Sequence, residues 1–153
     1  MINPNFRQAK PADLPQIANF YINARRQAVG SIPPIVGSDL SVSKWLERRL
    51  SSGDETWLAI INNELAGLLM LEPGWIDQLY VRPDLTGQGI GKQLLELAKA
   101  RMPLGLQLWT FQSNHRAQKF YERHGFIETE RTDGRNNQEQ APDIRYQWLP
   151  SSD

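Results

Sequence analysis

Residues 79–92 have the sequence LYVRPDLTGQGIGK and predict a strand, a sharp turn and the start of a helix. The strand is expected over Trp75–Val81, which is mostly aromatic, β-branched or apolar, and Pro83 ends its pairing because proline has no N–H to donate. The turn contains three alternate glycines, Gly87, Gly89 and Gly91, which allow positive φ and a close backbone approach to a ligand. Free N–H groups and the dipole at such a helix N-terminus favour phosphate or pyrophosphate.

The spacing of these glycines differs from two common phosphate motifs. It is not the G-x-G-x-x-G of dinucleotide sites, and a Walker loop needs Gly-Lys followed by Ser or Thr. Here Lys92 is followed by Gln93, which offers no hydroxyl for magnesium. A nucleotide-binding or phosphotransfer protein is therefore the least supported function.

A second segment, NHRAQKFYERHGF at residues 114–126, predicts a short helix. Asn114 is a good N-cap, and Gly125 is placed to end the helix in the left-handed conformation. Ala117, Phe120 and Tyr121 fall on one side at i, i+3 and i+4.

Together the two segments resemble the GCN5-related N-acetyltransferase (GNAT) family. That family has a hydrophobic strand ending in Val-x-Pro, then Arg/Gln-x-x-Gly-x-Gly/Ala, and later Asn-x-x-Ala-x-x-φ-Tyr-x-x-x-Gly-Phe. The six residues of the first motif match Thr86–Gly91, where Thr86 departs from the usual Arg or Gln. The resemblance covers roughly residues 58–126, and earlier residues only in pattern.

The resemblance implies an α/β (α+β) acyl-CoA N-acyltransferase fold. Its central sheet is mixed, mostly antiparallel and twisted, with helices on both faces and a splayed pair of parallel strands. The chain pattern agrees with the order β-α-α-β-β-β-α-β-α-β-β. The predicted segments are strands at 6–9, 56–61, 65–71, 75–81, 106–111, 127–131 and 144–148, and helices at about 14–27, 42–50, 90–102 and 115–124. Asp13 is expected to cap the first helix and Asn62-Asn63 to form a tight hairpin turn.

Composition favours one cytoplasmic enzyme domain over residues 1–153. The formal net charge is zero, so nothing predicts a nucleic-acid or membrane-surface partner. The absence of cysteine excludes disulfides and a catalytic thiol, and the two histidines suggest no metal pair. The start of the chain has no signal-peptide pattern, and no apolar run is long enough to span a bilayer.

The resemblance also implies a binding site for acetyl-CoA, used as co-substrate without a metal. The backbone of Leu79 and Val81 would bond the pantetheine arm, the glycine turn would surround the pyrophosphate, and Asn114 would reach a pantetheine amide. Lys92 is equally a solvated first-turn lysine, and Arg116 is more simply a surface arginine. The full expected set is Leu79, Tyr80, Val81, Thr86, Gly87, Gln88, Gly89, Ile90, Gly91, Lys92, Asn114, Ala117 and Tyr121.

Two catalytic residues are predicted. Tyr121 matches the family tyrosine that stands near the CoA sulfur as general acid, although a core aromatic role would fit its helix face as well. Asp77 would share a face with Trp75, Leu79 and Val81 by strand alternation, and a carboxylate among apolar groups suits a base. An acid bonded to a neighbouring loop is equally consistent, and Glu72 or a water chain are the alternatives.

The acceptor is expected to be a primary amine of a small molecule or peptide, attacking directly in a ternary complex. One or two of Trp45, Trp57, Trp75 and Trp109 could line its pocket, and no acidic cluster in the sequence indicates a polycation. The alternative is a non-catalytic acyl-CoA-binding sensor or scaffold, which need not keep Tyr121 and Asn114. A monomer or a homodimer would serve either function.

Overall fold

The structure is a computed structural model and describes residues 2–151. Its helices are α1 (Leu14–Gln27), α2 (Asp39–Ser51), α3 (Ile90–Arg101) and α4 (His115–Arg123). Its strands are β1 (Asn5–Gln8), β2 (Thr56–Ile61), β3 (Glu64–Glu72), β4 (Trp75–Val81), β5 (Leu106–Phe111), β6 (Ile127–Thr132) and β7 (Asp143–Trp148). The order of elements predicted from the sequence is confirmed. No helix within this range is both long and apolar enough to cross a bilayer.

Local signals explain most element boundaries. Asn62 and Asn63 have φ of 52° and 64°, as a tight hairpin turn requires. The start of α2 lies three residues earlier than predicted, because Ser38 caps it by accepting from the Ser41 N–H at 3.1 Å. Asp13 lies at the N-cap position of α1 as predicted, but its carboxylate makes no cap bond with that helix. It accepts from the Lys10 N–H at 2.7 Å and pairs with Arg7 at 2.8 Å.

Seven strands form one sheet in the order β1-β2-β3-β4-β5-β7-β6. All neighbouring strands are antiparallel except β4 and β5. This parallel pair is joined only at Trp75 and Gln107, near the beginning of both strands, so the strands separate toward their C-terminal ends. The expected splayed pair of parallel strands is confirmed.

The sheet separates two apolar cores. One core packs α3 and α4 against one face, where Leu94 and Ala98 are completely buried. The other core packs α1 and α2 against the opposite face around Ile17 and Leu46. Helix α3 lies very close to the sheet at Gly67, where a Cβ would stand 2.9 Å from the Leu94 Cδ1 atom. The two layers of helices therefore flank the gap between β4 and β5 from both sides.

Candidate active site

A cavity of about 510 Å³ occupies the gap where β4 and β5 separate. The Gln107 N–H donates to the Gly74 carbonyl at 2.9 Å, and the two strands share no later residue pair. The Arg82 N–H donates to Ala66 of β3 at 2.8 Å. Because backbone direction alternates along a strand, the N–H and C=O groups of Leu79 and Val81 point the other way, into the gap. These groups can pair with an extended ligand arm.

The glycine turn lies at the N-terminus of α3. Gly87 and Gly89 have φ of 80° and 87°, and a Cβ at Gly87 would meet nothing within 4 Å. The first intrahelical bond runs from the Gln93 N–H to the Gly89 carbonyl at 3.1 Å. No group within residues 2–151 accepts from the N–H groups that precede Gln93 in this helix, and its first turn has no acidic residue. The turn therefore fits an anionic phosphate group.

The side chains of this turn differ in what they offer a ligand. Lys92 and Gln88 are exposed, and Gln88 lines a shallow depression together with Gly87, Gly89 and Ile2. The Thr86 hydroxyl donates to the Pro83 carbonyl at 3.1 Å, so it stabilises its own turn. Ile90 is buried in the core, and only its backbone is available.

Helix α4 forms the opposite wall of the cavity. The Asn114 Oδ1 atom caps the helix by accepting from the Ala117 N–H at 3.2 Å, as predicted. The Nδ2 group of Asn114 makes no hydrogen bond within residues 2–151 and is free to donate into the cavity, which both residues line. The helix ends at Gly125, whose φ is 90°. The cap and a ligand contact are compatible roles for this asparagine.

Tyr121 also lines the cavity and is 8% exposed. Its ring packs edge-on against Phe120 and Phe126, with centroid distances of 5.2 and 5.5 Å. Its hydroxyl has no hydrogen-bond partner anywhere in residues 2–151, and burial raises the pKa of this phenol. The side chain is thus both a core aromatic and a protonated donor that faces the cavity.

The expected face of Asp77 is wrong. Met70 of β3 pairs with Gln78, whereas Leu71 pairs with Ile76, so Asp77 is the extra residue of a β-bulge. The bulge shifts the alternation, and Asp77 lies opposite to Leu79, on the side of α2. There its carboxylate forms an ion pair with Arg49 instead of lying among apolar groups. Asp77 nevertheless lines the cavity.

Arg25, Asp133 and Glu139 also line the cavity, and the sequence did not single them out. Arg25 of α1 is 5% exposed, donates to the Tyr21 hydroxyl at 3.0 Å and lies 3.6 Å from Glu139 of the loop between β6 and β7. Trp109 of β5 is 44% exposed and is the one tryptophan of the four candidates that lines the cavity. Four carboxylates share this lining: Asp77 of β4, and Asp133, Glu139 and Asp143, which lie within residues 133–143 between β6 and the start of β7.

Three of these acids lie close together in the sequence, and only the fold adds Asp77 of β4 to them. Asp143 is buried and held by the Thr132 hydroxyl and by the Asn137 amide at 3.2 Å. Against four carboxylates the lining contains one basic side chain, Arg25. Arg49 and Arg135 pair with Asp77 and Asp133 from outside the lining, so three guanidiniums face four carboxylates. The excess carboxylate charge suits a cationic ligand. Within residues 2–151, no three acidic or histidine side chains are arranged to hold a metal ion.

Comparison with known proteins identifies the family. The family model described as "Acetyltransferase (GNAT) family" matches residues 22–126, more than half of the chain. The chain belongs to the GNAT family of acetyltransferases. The uncharacterized N-acetyltransferase YafP of Escherichia coli is 29% identical over 131 residues, which are 82% of this chain and 83% of that protein.

Two further N-acetyltransferases are similar to this chain. The peptidyl-lysine N-acetyltransferase YjaB of Salmonella typhimurium is 37% identical over 78 residues, which are 50% of this chain and 53% of that protein. The crystal structure of the PaiA N-acetyltransferase from Thermoplasma acidophilum, solved in complex with coenzyme A, superposes with a TM-score of 0.73. It is 22% identical and the match covers 97% of this chain and 99% of that chain, so it shows the shared fold.

Proposed function

We propose that this GNAT protein transfers the acetyl group of acetyl-CoA to a primary amine of a small molecule or peptide, by direct attack in a ternary complex. The observation that carries the proposal is the continuous cavity between β4 and β5. It joins open backbone groups and Tyr121 on one side of the sheet to an acidic wall on the other. Both substrates of a direct transfer have a place in it.

Different residues bind different parts of acetyl-CoA. The glycine turn at Gly87–Lys92 supplies backbone N–H groups for the pyrophosphate, and the backbone of Leu79 and Val81 pairs with the pantetheine arm. Asn114 donates its free amide to that arm. A backbone N–H near Val81 faces the thioester carbonyl and stabilises the developing oxyanion.

The chemical step then has a balanced course. An ammonium acceptor first loses a proton, and the free amine attacks the thioester carbonyl. The C–N bond forms, the C–S bond breaks, and the departing thiolate takes a proton from Tyr121. The attacking nitrogen gives up its second proton, which restores the Tyr121 phenol through water. The net products are the N-acetylated amine, CoA and one proton. A buried tyrosine that keeps its proton is suited to the donor role.

The acidic wall supports an amine acceptor. Primary alkylamines are cations at neutral pH, and carboxylates attract them. The exposed face of Trp109 adds an aromatic surface for a cation or an apolar chain. The relative from Salmonella typhimurium, named as a peptidyl-lysine N-acetyltransferase, supports a lysine-like amine as one member of this class.

A non-catalytic acyl-CoA-binding module is the alternative. It needs the glycine turn, but it gives no reason for an unpartnered tyrosine hydroxyl and an acidic wall in one cavity. A magnesium-dependent nucleotide site is opposed by Gln93, whose amide donates to the Ile2 and Gly89 carbonyls at 2.9 and 3.2 Å.

Thiol release from acetyl-CoA, measured with a panel of amines, tests the proposal. We expect release that depends on both acetyl-CoA and an amine and is accompanied by N-acetylated product in a mass spectrum. Binding of CoA without release for any primary amine would favour the non-catalytic module. No binding of CoA would refute both functions.

A further inference from the structure

The bulge in β4 gives Asp77 an unusual position for an acid in the cavity. Its Oδ2 atom is bonded to Arg49, whereas its Oδ1 atom has no hydrogen-bond partner within residues 2–151. The side chain is 30% exposed and lines the cavity. One carboxylate oxygen is thus fixed by the protein and the other is open to a ligand.

Arg49 fixes this carboxylate from α2. It is 9% exposed, and its Nη1 group also donates to the Glu72 carboxylate at 3.1 Å. Its Nη2 group donates to the Leu71 carbonyl at 3.4 Å. A guanidinium is planar and rigid, so bonds to the end of β3 and to the bulge of β4 set the orientation of Asp77. The Nε atom of Arg49 has no partner.

The charges of this trio do not balance. One guanidinium faces two carboxylates, which leaves one excess negative charge beside the cavity. Binding of an external ammonium would balance the charges of the trio. The other charged or titratable groups around this cavity are Arg25 and Tyr21 of α1, Tyr80 of β4, Tyr121 of α4, and Asp133 with its partner Arg135, Glu139 and Asp143 near β6 and β7.

We propose that Arg49 is a positioning residue that holds Asp77 as the anchor for the ammonium group of the acceptor. This inference rests on the proposed acetyltransferase function and sharpens it. Asp77 binds the acceptor as a cation, and the proton that must leave before attack passes to water, not to Asp77. The enzyme therefore selects amines that are protonated when they arrive.

A kinetic comparison of charged and neutral acceptors tests this. Benzylamine is a cation at neutral pH, whereas aniline is neutral. For Asp77→Asn we expect the KM for benzylamine to rise about 10- to 100-fold, as for a lost charged hydrogen bond, with kcat within about threefold. The KM for aniline should not change. Where either amine is not turned over, its inhibition constant against the most active amine of the panel gives the same comparison.

The arginine needs its own variants. Arg49→Lys keeps the charge but cannot bridge both carboxylates, so the KM for benzylamine should rise severalfold with an unchanged kcat. Arg48→Lys is the matched control, because Arg48 is the exposed neighbour on α2 and forms no ion pair within residues 2–151. It should behave as wild type. CoA-induced thermal stabilisation of every variant reports that the fold and cofactor side are intact.

Three results would overturn the inference. Loss of the low-pH limb of kcat in Asp77→Asn with an unchanged KM would make Asp77 the general base. An equal rise of KM for aniline and benzylamine would mean that the trio has only a structural role. Failure of Arg49→Lys to fold, together with normal kinetics of Asp77→Asn, would mean the same. Absence of turnover by wild type with every amine would instead refute the proposed function, and the inference with it.

Discussion

The two halves of the cavity present different kinds of chemical group to a ligand. The cofactor half, proposed for acetyl-CoA, has backbone groups of β4, the Asn114 amide and one neutral phenol in its lining, and the glycine turn before α3 lies outside that lining. These groups come from two continuous segments of the chain. The acceptor half uses charged side chains from α1, from the bulge in β4 and from the loop before β7. A ligand held by backbone groups tolerates many side-chain changes, whereas one held by side chains is changed by single substitutions. Under the proposed function, the first half would preserve the activity and the second half would set its specificity.

The largest effect is expected from Gly89→Val, which tests whether the cofactor half depends on backbone shape. Wild type should gain about 2.7 kcal/mol from CoA at a hundredfold excess over Kd. The valine should abolish this gain, since it places a branched side chain where phosphate oxygens approach. Thermal shifts with CoA, ATP and NAD measure it.

Gly53→Val is the control for Gly89→Val. Gly53 has nearly the same φ, 86°, and a Cβ there meets nothing within 4 Å, so it carries similar strain away from the turn. It should lower Tm and keep the CoA response. Stabilisation of wild type by ATP or NAD but not by CoA would contradict the assignment.

Tyr121→Phe should lower kcat about a hundredfold, or about 2.7 kcal/mol in the barrier, with little change in CoA affinity. The ring packing survives and only the proton donor is lost. Tyr146→Phe is the matched control, because the Tyr146 hydroxyl is committed to Glu122 at 2.7 Å. It should affect stability and not kcat. If turnover of Tyr121→Phe is unchanged when the chemical step limits the rate, Tyr121 has a packing role only.

The burial of the Tyr121 phenol should also be measurable as a loss of stability at alkaline pH. Burial raises the pKa of Tyr121 above its ordinary value of 10.0, so the neutral form is favoured by the folded state. The contribution of Tyr121 to the free energy of unfolding is fully present below pH 10 and is lost as the pH rises above that value. Relative to Tyr121→Phe, wild type should lose about 1.4 kcal/mol of unfolding free energy per further pH unit. Urea titrations between pH 8 and 11 measure the slope; parallel curves would mean that Tyr121 is not buried.

Glu139→Gln should have the smallest effect and should stay within the acceptor half. Glu139 is a loose partner of Arg25 and part of the acidic wall, so the KM for benzylamine should rise about two- to fivefold. Added salt should reduce the difference, and CoA affinity should not change. Glu130→Gln is the control, because Glu130 pairs with Arg145 outside the cavity lining. A matching loss of CoA affinity would show that the two halves are not independent.

The sequence predicted the cofactor half because its determinants are local. A turn is predicted from Gly87 and Gly89, and a helix cap from Asn114, each within a few residues of sequence. The structure has these residues in those roles. The face of Asp77 was not predictable, because a bulge adds one residue without a glycine or proline to mark it. Arg25 and Glu139 are 114 positions apart, and only the folded chain brings them together.

The gap between β4 and β5 opens the cavity to both sides of the sheet. Leu108 and Tyr121 belong to the core under α3 and α4, whereas Trp109 follows Leu108 on the opposite face. Under the proposed function, each substrate would therefore have its own route, and neither would have to leave before the other binds. Double-reciprocal plots at several fixed acetyl-CoA concentrations should intersect rather than run parallel. A single inhibitor that joins CoA to an amine through an acetyl bridge would fill both routes at once and bind more tightly than either substrate.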